Sequence, residues 1–159
     1  MNWEAAGAIG EIIGALAVVI SLVYLASQIR IQNREARAAA THDILVSFRE
    51  VQSKGLDLGL SEVIGKATHQ GFDSLTAPEQ HRVILYCVPF LRVWEEAYHQ
   101  HKAGRLDVEM WDSINTYNAF FMESALHMTI WSLRGNLFTI SFRAHVDEII
   151  KASSSKPSP

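Results

Sequence analysis

Residues Ala5–Ala26 read AAGAIGEIIGALAVVISLVYLA, 22 positions with a single charge, Glu11. A helix of about 20 such residues crosses the roughly 30 Å hydrocarbon layer of a bilayer. The segment therefore predicts a transmembrane helix within residues 1–29. Trp3 precedes it and Tyr24 lies near its end. Along a straight helix the two are about 31 Å apart, the separation of the two interfacial belts that aromatic residues favour. A buried core helix and a cleavable signal peptide are the competing readings. A signal peptide needs a positive n-region, and no Lys or Arg precedes Arg30. All 14 Lys and Arg lie from Arg30 onward. The positive-inside rule then puts the N-terminus outside and the rest of the chain in the cytoplasm.

The small residues of this segment follow a pattern. Gly7, Gly10, Gly14, Ala17 and Ser21 step by 3, 4, 3 and 4, which keeps them on one helical stripe. Small residues let helix backbones approach closely in lipid, so the stripe is a candidate surface for self-association. Glu11 lies beside it. A carboxylate at that depth is costly unless protonated, paired or wetted. It is a candidate pore or ion site in an oligomer, or a carboxylate that reaches the outer interface. Arg30, Arg34 and Arg37 share one face just past the segment. They suit topology control and contact with anionic lipid headgroups.

The remainder reads as a helical bundle, with no strand-like alternation. Nearly half of the 159 residues, 48%, are hydrophobic and 19% are charged, which excludes a disordered chain. One cysteine excludes a disulfide scaffold. A net charge of −3 leaves no cationic excess for nucleic acid. Neither Gly nor Pro occurs from Ala15 to Lys54, so the apolar helix is expected to run on past the membrane, with Ile44, Leu45, Phe48 and Val51 on a packed face. Gly55 and Gly59 mark a break, and residues Ser61–His69 suit a short helix ending near Gly71. Thr76-Ala77-Pro78-Glu79 is a capping box that opens a helix to about Lys102, kinked at Pro89 and stopped by Gly104. Asp107 caps a helix expected from Val108 to about Leu133, its apolar face built by Trp111, Ile114, Tyr117, Phe121, Ala125 and Met128. Gly135 suits its C-cap. Thr139 opens a last helix to Lys151 with Phe142, Val146, Ile149 and Ile150 inward, and residues 152–159 are expected to be disordered. The fold class is all-α: one transmembrane helix continuing into a cytoplasmic bundle of about four helices over residues 30–151.

Catalytic patterns are sparse. Glu96 and His99 form a Glu-x-x-His, the spacing with which di-iron bundles hold metal, but a second copy is missing. The pair is a weak metal candidate in a membrane-tethered metalloenzyme. No nucleophile elbow, P-loop or dinucleotide fingerprint occurs. Cys87 lies in the apolar stretch Val83–Leu91 and suits a small buried hydrophobe. Trp94, Trp111 and Trp131 are expected in the core. The chain reads as a non-enzyme without a cofactor.

Three stretches carry a resemblance. Ile9-Gly10-Glu11-Ile12-Ile13-Gly14-Ala15 through Ser27-Gln28-Ile29-Arg30 is similar to the opening of a widespread group of small bacterial single-span membrane proteins with a helical cytoplasmic domain. Trp94-Glu95, Gly104-Arg105-Leu106-Asp107 and Trp111 resemble the middle of that group. Phe138-Thr139, Phe142-Arg143 and Val146-Asp147-Glu148-Ile149-Ile150 resemble its end. The group has no established activity, so the resemblance implies topology and a bacterial inner membrane, and assigns no catalytic residue. The resulting expectation is a self-associating inner-membrane protein, a scaffold or sensor, whose partners are membrane lipids and further copies of itself. An oligomeric pore with Glu11 near its lumen is the alternative.

Overall fold

The structure, a computed structural model, describes residues 3–154, with side chains from 7 to 153. The described residues form six α-helices and two 3-10 turns, with no strand among them. The helices are α1 (Trp3–Gly55), α2 (Leu58–Gln70), α3 (Ala77–Lys102), α4 (Val108–Met122), α5 (Ala125–Arg134) and α6 (Ile140–Ser154). The 3-10 turns are Phe72–Ser74 and Gly135–Leu137. The fold is all-α, with one long apolar N-terminal helix and a bundle. The chain divides into two compact units, one up to Ala39 and the other from Ala40 on.

Local chemistry sets most helix boundaries. Gly71 and Gly104 have φ of +89° and +67°, the left-handed region that glycine enters without steric cost. They end α2 and α3 as the sequence predicts. Asp57 opens α2 by accepting the Leu60 N–H on its carboxylate at 2.9 Å, and Asp107 opens α4 by accepting the Glu109 N–H at 2.9 Å. At the start of α3 the Thr76 N–H donates to Glu79 Oε2 at 2.7 Å and its hydroxyl does so at 2.8 Å. Lys66 from α2 joins the same oxygen at 3.1 Å. These bonds, the Thr76 backbone foremost, hold the Glu79 carboxyl down at about 2. α3 runs through Pro89 without a break, to Lys102.

The expected single helix from Val108 to Leu133 is two helices in the structure. α4 stops at Met122, and Ser124 caps α5 by accepting the His127 N–H at 3.3 Å, with its hydroxyl 2.7 Å from His127 Nδ1. A serine side chain competes for backbone partners within a helix and favours a cap. The break also lets the two segments face different neighbours. Trp111, Ile114, Asn118 and Met122 of α4 are buried, whereas Leu126, Ile130 and Trp131 are the buried positions of α5. The expected face holds at Trp111 and Ile114 and then shifts by one residue to Asn118, Met122 and Leu126, leaving Tyr117 42% and Met128 39% exposed. α6 extends to Ser154, beyond the expected end at Lys151, and residues 155–159 lie outside the described ones.

α3 is the centre of the bundle because its buried side chains serve two cores. The larger core joins Ile44, Phe48 and Val51 of α1 to Phe90, Leu91 and Trp94 of α3, with Trp111 from α4 and Phe142 and Val146 from α6. The smaller joins Val63 and Ala67 of α2 to Val83 and Cys87 of α3 and Leu126 and Ile130 of α5. Trp94 is fully buried and meets Phe142 edge to face at 5.2 Å, a favoured aromatic geometry. Gly135 packs closely: a Cβ there would sit 3.2 Å from the Trp131 ring, which would have to give by a few tenths of an ångström.

Candidate functional site

Among the described residues one helix, α1, is long and apolar enough to cross a membrane. None of its apolar window is buried. The large apolar side chains from Ile9 to Leu25 are 54–68% exposed, all round the helix. The core helix of a bundle is mostly covered by its own chain, and no part of this window is buried. Soluble proteins rarely expose an apolar patch above a few hundred Å², so this surface calls for a partner phase or a partner chain.

The residues singled out from the sequence sit on that helix as expected. Gly7, Gly10, Gly14, Ala17 and Ser21 are all exposed. A Cβ added at any of the three glycines meets nothing within 4 Å. Ser21 satisfies its hydroxyl internally, donating to the Ala17 carbonyl at 2.8 Å. Glu11 is exposed beside the stripe, and Arg30, Arg34 and Arg37 are exposed farther along α1.

Glu96 and His99 are not joined to further ligands. Both side chains are exposed, and His99 Nε2 lies 3.0 Å from Thr139 Oγ1. No group of three or more His, Cys, Asp or Glu is gathered for a metal among the described residues. The neighbouring carboxylate is the buried one. Glu95 accepts the Thr139 N–H on Oε1 at 2.7 Å and Arg92 Nη1 on Oε2 at 2.6 Å. Burial by itself would raise the Glu95 carboxyl, but the Thr139 and Arg92 hydrogen bonds outweigh it and hold the group below its ordinary range. Cys87 is buried and its thiol is pushed up to about 12 by desolvation, which makes it inert packing. Trp94, Trp111 and Trp131 are all buried in the bundle.

Sequence reasoning missed a grouping that long-range packing creates. His101 of α3 stacks on Trp111 of α4 at 4.9 Å and 11°. His145 of α6 lies 5.1 Å from the Tyr98 ring and 5.6 Å from that of Trp111. Asn115 Oδ1 receives both Trp94 Nε1 at 3.2 Å and His145 Nε2 at 2.8 Å. The indole N–H only donates, so the amide presents its oxygen. An oxygen only accepts, so His145 Nε2 carries the proton and Nδ1 keeps a free lone pair. Burial, aided by His101 and Lys102 and opposed by Glu148, shifts the His145 imidazole downward and favours this neutral form. The only local sign in the sequence is the run of His99 and His101 near the end of α3, which by itself suits a helix C-terminus.

No family model, curated protein or solved structure matches the chain.

Proposed function

We propose that this protein is a self-associating, single-span bacterial inner-membrane protein whose cytoplasmic helical bundle acts as a scaffold or sensing module. The observation that carries the reading is the unburied apolar surface of α1. Ten aliphatic side chains lie between Ile9 and Leu25. On an insertion scale they favour the membrane by about 3–6 kcal/mol together, against about 2.5–3.5 kcal/mol for an acidic residue at a helix centre. Glu11 lies toward the N-terminal end of the apolar run, so its cost is below that ceiling. The absence of Lys and Arg before Arg30 favours a cytoplasmic bundle. Gly7, Gly10 and Gly14 leave the stripe free of side-chain bulk, which favours helix–helix contact there.

Two measurements test this reading. Membranes washed with alkaline carbonate should retain the full-length protein, and detergent should release it. Recovery in the carbonate supernatant would refute the span. In detergent micelles, crosslinking should give a discrete oligomer that Gly14→Leu diminishes. Unchanged crosslinking of that variant would refute the stripe as the contact.

A further inference from the structure

A cleft of about 360 Å³ opens between the end of α3, the first turn of α4 and the start of α6. Its main lining residues are Tyr98, His101, Lys102, Trp111, His145 and Glu148. The volume lies within the range of small-molecule sites, about 300–1,000 Å³, which combine apolar or aromatic walls with a few placed polar groups. Here rings form part of the wall, and the accessible lining as a whole is more polar than apolar. Trp111 lies 5.9 Å from Tyr98 and is stacked by His101.

Two opposite charges share this cleft. Lys102 and Glu148 both line it, yet no ion pair includes either of them among the described residues. Lys102 Nζ instead sits 5.8 Å from the Tyr98 ring centroid. Both charges act on the same imidazole, since Lys102 lowers His145 and Glu148 raises it. Two ring nitrogens are also uncommitted. His101 Nδ1 is buried without a hydrogen-bond partner, and a buried polar atom left unpaired costs about 1–3 kcal/mol. His145 Nδ1 keeps its lone pair because Nε2 is tied to Asn115.

We propose that this cleft binds a small zwitterion of the α-amino-acid class, its carboxylate toward Lys102 and its ammonium toward Glu148. The charge pattern selects that class. A bare anion meets the repulsion of Glu148, and a bare cation meets that of Lys102. A zwitterion satisfies both and adds ammonium contact with the ring faces. All eight lining residues lie in the bundle, so the inference does not depend on membrane insertion.

The test uses the full-length protein in detergent, with titration calorimetry and the indole fluorescence to which Trp111 contributes. The proteinogenic α-amino acids are titrated one at a time, with acetate and ethylamine as single-charge controls. At least one amino acid should bind saturably, and acetate and ethylamine should bind at least about tenfold more weakly. Lys102→Met and Glu148→Gln should each weaken that binding about tenfold or more, the loss of one charge-assisted contact. Both side chains are exposed, and unchanged near-ultraviolet circular dichroism checks that the variants stay folded. Absence of saturable binding by every amino acid overturns the proposal. So does acetate binding as tightly as the best amino acid, or affinity that neither substitution changes.

Discussion

Replacement of Glu95 by alanine tests whether the buried carboxylate ties α6 to α3. Its side chain is 8% exposed and bridges the Thr139 N–H, at the head of α6, to Arg92. A hydrogen bond to a charged group contributes about 1.5–3 kcal/mol net, and a buried donor left unpaired costs about 1–3 kcal/mol. The Arg92 side adds little, because that guanidinium is 47% exposed and exposed pairs contribute about 0–1 kcal/mol. Arg92 also keeps its bond to the Leu137 carbonyl at 2.7 Å and its place 4.6 Å from the Phe138 ring. Glu95→Ala should therefore destabilise the bundle by about 3 kcal/mol. For a domain near the size of the second unit that lowers Tm by about 10 °C. Glu95→Gln keeps an acceptor for Thr139 and should lose about half as much. Glu96→Gln, one residue on and exposed, should change stability by no more than about 0.5 kcal/mol. The assay is thermal unfolding of the full chain in detergent, followed by near-ultraviolet circular dichroism. Three of the four tryptophans, Trp94, Trp111 and Trp131, are buried in the bundle and report its packing. If Glu95→Ala melts with Glu96→Gln, the bridge does not hold the helices together.

Acidification should act in two steps. Burial lowers the His127 and His145 imidazoles below the ordinary 6.5, so the unfolded chain takes up protons first as pH falls and the folded state loses stability from about pH 7 downward. Glu79 and Glu95 are lowered from 4.5. Their contribution is complete above that value and is lost below it, for Glu79 as pH falls toward about 2. Urea midpoints that stay constant from pH 7 to pH 5 would contradict the histidine step. Cys87 should resist iodoacetamide at pH 8 in the folded protein and react readily in denaturant, as its burial and raised thiol require. Mass spectrometry reads the adduct, and fast labelling of the folded form would refute the packing assigned to it.

Where the sequence was informative, the interactions are local. The capping box at Thr76 and Glu79, the cap at Asp107 and the stops at Gly71 and Gly104 each depend on a few neighbouring residues, so their effect is readable in the chain order. The break at Ser124 was less legible. Its apolar spacing continues across it, and the deciding factor is that α5 turns Leu126 and Ile130 into the smaller core while its Trp131 stays in the larger core with Trp111, Ile114 and Met122 of α4. Glu96 and His99 have a suggestive spacing, yet both side chains are exposed. The adjacent Glu95 is turned inward, because α6 delivers the Thr139 N–H to it from 44 residues away.

The apolar character of α1 is a property of composition and continuity, and the amino-acid order alone determined it. Its lack of burial was read only from the tertiary structure, since burial depends on which other elements reach a surface. It also decided the cleft of Tyr98, His101, Trp111 and His145. Those rings come from three helices, and only the packing of α3, α4 and α6 brings together groups that no local periodicity connects.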